Sequence, residues 1–372
     1  MNKSKSSNPV RLIAFFLTAF LLICTFGFTA DGWQVKEDKD TSDNSDSVID
    51  FPSDNPDEEQ PADDNHTEKP EVYIPEFANR LTGLESDEEL AASRHLAFIM
   101  DPSLPTYGIS GADLICEVPT ENGTRLVVFA SEKQKLWKIG ALTQTRGYIS
   151  NIAKYFGGVC VSFGSDDNMN YGSCDLKDSY IDMTLDESYH YTEFQKNVYT
   201  NNDLLSKALT SSGISENEGI DASLPYDFID FGCDPLIYGD RSVKNIKYNR
   251  HDGTSSQICY DSETNNYSVQ NGLSNVTDAL NGNEIKFANC FVLFADSVIY
   301  DNSKCSQMVM DTVGGGEGFY FSQGGILRIN WTATQDGVMN FTLDDGSKLV
   351  INRGNVYLTF LKTSLKDKIL FE

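Results

Sequence analysis

The chain is poor in histidine and in basic charge. Its 372 residues hold four histidines, at 66, 95, 190 and 251, and 29 Lys plus Arg against 55 Asp plus Glu, a formal charge of −26. None of the histidines belongs to an HxH or HExxH pairing, so no metal site is expected. Binding a polyanion depends on Lys and Arg that neutralise its phosphates, which excludes nucleic acid as a partner. CxxC is absent, and the cysteine spacing fits no structural zinc site. The sequence also lacks a GxSxG elbow, a Walker A loop and a Rossmann fingerprint, and no cofactor is expected. Self-similarity of solenoid length is missing too.

What is present begins with export. Lys3, Lys5 and Arg11 precede LIAFFLTAFLLICTFGFTA at 12–30, so residues 1–30 read as an export signal or membrane anchor. The run is near the lower limit for crossing a bilayer core of about 30 Å. Leu21-Leu22-Ile23-Cys24 resembles a bacterial lipobox whose Cys24 would be acylated, although Ile23 stands where a small residue is usual. Cleavage, lipidation and retention as a helix all remain open. Positive charge before the segment and acid after it place the bulk of the chain outside the cytoplasm, attached to the cell membrane. Residues 31–72 form an acidic linker, with 14 acids against three lysines between 31 and 70 and almost no aliphatic content. Such a segment cannot offset its ordering entropy and is expected to be disordered and extended.

Two domains are expected beyond the linker: an N-terminal α/β domain at 73–225 and a β-rich, mainly antiparallel domain at 226–365. The first interleaves strands such as HLAFIMD and GVCVSFG with helical patterns at 149–156 and 200–213, the latter capped by Asn201 or Asn202 and stopped by Gly213. The second strings together short strands punctuated by turns such as Asp336-Gly337 and Asp345-Gly346. TVGGGEGFYF, 312–321, reads as a wide turn between strands. Cys116, Cys160 and Cys290 lie in apolar runs and are expected to be free, buried thiols.

Charge inside the stretch GADLICEVPTENGTRLVVFA, 111–130, carries the functional question. It reads as a hairpin about Asn122-Gly123, with Thr120 opposite Arg125 and Cys116 opposite Phe129. That register puts Asp113, Ile115, Glu117 and Glu121 on one face and Arg125, Val127 and Phe129 on the other. Pro119, which cannot donate to a ladder, invites a bulge or an edge position. Three explanations stand: water-facing edge charges, a partly buried carboxylate–arginine network with Arg125 and Arg146, or a cleft in which two carboxylates do acid and base work, as in glycoside hydrolysis.

Taken in order, the segments NRLTGL (79–84), HLAFIMDP, GISGADLICEV, ENGTRLVVFA, IGALTQTR, KNVYTNNDLLSKAL, GGGEGFYFSQGGILRINW and LVINRGNVYLTFL resemble the YerB-like family of bacterial lipoproteins, a two-part domain family of unknown function. The likeness spans roughly 79–362. On it, Asp113, Glu117, Glu121, Arg125 and Arg146 match charged positions of the family pattern, which implies a shared network or cleft. Departures include LPTYG for an Arg-Pro-x-x-Gly approach, the loss of one Arg in ALTQTR, and the absence of Pro-His before Asn197. The resemblance implies a membrane-attached protein facing the wall and no known enzyme. The expected role is thus a non-catalytic binding or scaffold function at the cell envelope, with a wall glycan or an envelope protein as partner. The hairpin charges and the strand end at Gly164, Ser165 and Asp166 are the candidate recognition surface. The alternative is an envelope glycan hydrolase using Glu117 or Glu121 with Asp113.

Overall fold

The structure, a computed structural model, describes residues 73–165, 179–239, 242–272, 274–301 and 306–372. The apolar leader with Cys24, the acidic linker, Asp166, Cys174 and Cys305 lie outside the described residues. Among the described residues no helix is long and apolar enough to cross a membrane.

A thirteen-stranded mixed sheet is the frame. Its second-half strands run Met339–Thr342, Gly325–Ala333, Gly314–Ser322 and Asn289–Ala295. Its first-half strands continue from the hairpin Leu114–Thr120 and Gly123–Ser131 through His95–Met100 to Ile139–Leu142. The two groups meet at Val356–Lys362, which pairs parallel with Asn289–Ala295 on one side and with Leu114–Thr120 on the other. One hydrogen-bonded sheet therefore runs through both halves of the sequence. The molecule is chiefly β, with this mixed sheet and a five-stranded antiparallel one.

Period-two alternation in the central strands fills both faces. From Leu114–Thr120 the even residues Leu114, Cys116 and Val118 pack with helix Gly147–Tyr155 through Ile149, Ile152 and Ala153. Ile115 on the odd face packs, together with Leu126 and Val128, against Ile246, Tyr248, Ile258, Tyr267 and Val269 of the smaller sheet. That sheet is built from Asn245–Asn249, Ser255–Asp261 and Asn266–Asn271, with short edge strands Ser274–Asn275 and Leu370–Phe371. Each fully buried aliphatic or aromatic side chain in these layers contributes about 1.5–3 kcal/mol. Double-sided burial explains why LICEV and FANCFVLF read as continuous apolar runs rather than alternating ones.

Both patterned helices form. Gly147–Tyr155 follows Arg146 and is stopped before Gly157; Asn202–Ser212 begins with the Asn201 side chain accepting from the Leu204 amide and ends on Gly213 at φ +68°. Cys116, Cys160 and Cys290 are free and fully buried, and Cys233 and Cys259 are also free.

Three local expectations are corrected. The hairpin register slides by two residues: Thr120 pairs with Gly123, Val118 with Arg125 and Cys116 with Val127, so Glu121 and Asn122 form the turn. Pro119 carries no bulge and pairs in sequence with Thr124, beyond the last residue matched to Val356–Lys362. The glycine-rich 312–321 stretch is no turn, because Gly314–Ser322 is a nine-residue strand. The reason is close packing: a Cβ on Gly316 would stand 2.4 Å from the Phe294 carbonyl oxygen and 2.7 Å from the Trp331 indole nitrogen. Only glycine lets these strands approach that closely.

Candidate functional site

Strand alternation turns Glu117 into the molecule. It belongs to the odd face of Leu114–Thr120, pairs with Leu126 across the hairpin and with Thr359 of Val356–Lys362, and is only 2% exposed. A carboxylate there needs a cation. Arg250, one residue past the end of the small-sheet strand Asn245–Asn249, donates from Nη2 to Glu117 Oε2 at 2.6 Å. The Tyr357 hydroxyl donates to the same oxygen at 3.2 Å, and the Tyr248 and Tyr357 hydroxyls lie 3.3 Å apart. Burial pushes the Glu117 carboxyl above its ordinary range, and the Arg250 charge and hydrogen bond pull part of that shift back. Burial together with the Glu117 charge drives the Tyr357 phenol well up, which keeps it a neutral donor.

Arg250 reaches further. Its Nη2 also donates to Asn271 Oδ1, which accepts from the Ser256 hydroxyl at 3.3 Å as well. Asn271 and Leu126, the partners of the two members of the ion pair, both line a cleft of about 350 Å³. One wall of the cleft is Pro102, Leu104 and Pro105; the other is Asn275, Val276 and Thr277. The walls are stapled where Ala279 N donates to the Thr106 carbonyl at 2.8 Å and where the backbone and hydroxyl of Ser110 donate to buried Asp278 at 2.9 and 2.7 Å. A smaller depression of about 250 Å³ lies beside exposed Trp137. There the Asn202 amide is spent on Leu136 N and the Gln134 carbonyl, and Asn201 caps its helix, so these side chains serve the fold.

The remaining sequence-derived residues separate into distinct pairs. Glu121 and Arg146 form a two-pronged ion pair, with Nη2 to Oε1 at 2.6 Å, and the Met308 amide donates to Glu121 Oε2 at 3.1 Å. Burial opposes the Glu121 charge, but the hydrogen bonds from Arg146 and from backbone amides outweigh it and take the carboxyl down to about 2. Arg125 joins neither acid: it lies on the opposite face from Glu117 and sits 3.4 Å from Asp101. Asp113 holds His95 Nε2 at 2.8 Å, while the other ring nitrogen of this buried histidine has no hydrogen-bond partner among the described residues. The Gly164 amide donates to Asp182 Oδ1 at 3.0 Å and its carbonyl accepts from Thr145 N, with Ser165 bridged to Thr145. Those contacts involve none of the hairpin acids.

Arg250, Asn271, Tyr248 and Tyr357 were not anticipated from the sequence. Tyr357 lies in the closing segment LVINRGNVYLTFL, whose nearly continuous apolar run does not single it out. Arg250, in a polar NRHDG loop 133 residues from Glu117, carried no signal. No group of three or more His, Cys, Asp or Glu able to hold a metal ion occurs among the described residues.

Residues 81–215 match the N-terminal domain, and residues 245–358 the C-terminal domain, of a protein family of unknown function, DUF3048. The chain belongs to the DUF3048 family. Among solved structures this DUF3048 chain is similar to the YerB protein from Bacillus subtilis, with a TM-score of 0.64 and 20% identity over 80% of this chain and 99% of that one. At that identity the likeness speaks for the fold, and the YerB-like two-part architecture is present. No curated protein matches. Within the DUF3048 framework Glu117 falls in the N-terminal match and Arg250, Asn271 and Tyr357 in the C-terminal one. The ion pair and the cleft are thus built jointly by both family domains.

Proposed function

We propose that this DUF3048 protein is a non-catalytic binding protein of the cell envelope, attached to the membrane through its N-terminal segment, with the 102–106/271–279 cleft as its ligand site. One observation carries the reading: each hairpin acid is committed to a basic partner inside the fold. Glu117 is taken by Arg250, Glu121 by Arg146 and Asp113 by His95. Hydrolysis of a glycosidic bond needs two carboxyl groups facing one open site, with one of them free to donate or accept a proton. A glutamate that is 2% exposed cannot meet a sugar in that way.

The composition supports the location. An apolar leader behind a basic start, followed by an acidic segment, suits a folded body carried outside the membrane. Within that body the two halves of the chain share one mixed sheet, and the cleft takes its lining from both. Pelleting with purified cell wall tests the function, using the full chain in detergent. Wild type is expected to pellet, and Thr277→Trp, which fills the cleft from an exposed wall position, is expected to stay in solution. Equal pelleting of the two proteins, or none by either, would remove the cleft or the wall from the proposal.

A further inference from the structure

We infer that the cleft binds an uncharged, amide-bearing chain, a short extended peptide segment, and that the buried Glu117–Arg250 pair is the positioning device for the side chain that reads it. The inference rests on the binding role proposed above and gives that site its ligand class.

The starting point is the chemistry of Asn271. An asparagine amide offers a carbonyl oxygen and two N–H donors, and a guanidinium can only donate. The atom that meets Arg250 is therefore Oδ1, and the Ser256 hydroxyl donates to that oxygen too. With Oδ1 held from two sides, the group left for the cleft is the NH₂. Arg250 itself is held by Glu117, and Glu117 by the Tyr357 hydroxyl. The result is a relay from a fully buried carboxylate to one fixed donor in a cleft wall. A buried ion pair gives little net stability relative to apolar packing of the same volume. Its return here is orientation: it removes the freedom of an amide to flip and makes the wall read carbonyl oxygens.

The rest of the lining narrows the ligand. Among the described residues no charged side chain lines the cleft, although 23% of the chain is charged, so a phosphate, a free carboxylate or an ammonium ion would be desolvated without a partner. None of the described residues that line it carries an aromatic ring, so they offer no stacking platform for the apolar face of a sugar. What remains are hydroxyl and amide groups from Thr106, Asn275 and Thr277 alternating with proline and aliphatic surface. That combination matches an extended peptide, whose amides need donors and acceptors and whose small side chains need apolar contact. A volume of about 350 Å³ suits a short segment.

The test is calorimetric titration of the full chain in detergent with acetyl-trialanine-amide, an uncharged peptide, and in parallel with diacetylchitobiose. Wild type is expected to bind the peptide and not the sugar. Asn271→Asp keeps an oxygen for Arg250 and Ser256 but presents an acceptor where the NH₂ stood, and should weaken peptide binding about tenfold, the loss of one hydrogen bond plus a repelled carbonyl. Thr277→Val, on the same wall as Asn271 but outside the relay, should weaken it by a smaller factor, and circular dichroism reports whether each variant is folded. Equal affinity in folded Asn271→Asp and wild type would overturn the relay, and titration by the sugar instead of the peptide would overturn the ligand class. If neither probe titrates while the full chain still pellets with wall, the peptide inference fails and the binding role stands; if pelleting fails too, both fall.

Discussion

Glu117 and Glu121 are four residues apart in one hairpin, yet their surroundings push their acidities in opposite directions. Glu117 is desolvated on the sheet's inner face, which raises its carboxyl, and the Arg250 charge and hydrogen bond offset only part of that rise. Removing one member of such a pair leaves the other buried and uncompensated, so Glu117→Ala should cost about 3–5 kcal/mol in chemical denaturation. Glu117→Met, which fills the same space without charge, should leave Arg250 exposed to the same penalty, whereas Glu117→Met with Arg250→Leu should recover most of the loss. Glu121 behaves otherwise. Its folded carboxyl titrates near 2 and its unfolded one near 4.5, so the stability it contributes is complete above about 4.5 and is lost as pH falls toward 2. Thermal melting between pH 6 and 2 should therefore fall more steeply for wild type than for Glu121→Gln; parallel curves would show that the Arg146 pair contributes nothing.

At the level of strands and turns, the parity of the hairpin was legible in its sequence, and the register was not. Alternation alone separates Arg125 from Glu117, because any slide by an even number of residues preserves faces. The turn was misplaced because Asn-Gly is a strong local signal, but pairing on the far side of Leu114–Thr120 with Val356–Lys362 fixes that strand, and Gly123 is drawn into the ladder opposite Thr120. The glycine run failed as a turn for a similar reason: flexibility was read where the cause is the nearness of Trp331 and Phe294, both remote in sequence. Gly316→Ala should therefore destabilise by about 1–3 kcal/mol through overpacking, measured by urea unfolding. A change within error would mean that the strands separate easily at this point. Helix limits were legible because Asn201 and Gly213 act locally; the candidate site was only half legible, since its acid lies in the hairpin while its base and its amide arrive from another sheet.

For the whole molecule, the closing strand Val356–Lys362 decides the behaviour. It holds Asn289–Ala295 and Leu114–Thr120 together in one ladder, so the two family domains have no boundary at which hydrogen bonding stops. Calorimetric unfolding should give a single transition whose van't Hoff and calorimetric enthalpies agree; two resolved transitions would mean that the halves are energetically independent. The same continuity places the cleft, whose walls come from loops of both domains and whose buried ion pair ties them together. That arrangement supports recognition in place of acid–base chemistry. The most direct measurement is the amount of soluble sugar released when the full chain is incubated with purified cell wall. Wild type and Glu117→Gln should both release none above buffer while wild type pellets with the wall, whereas release by wild type that disappears in Glu117→Gln would contradict the account.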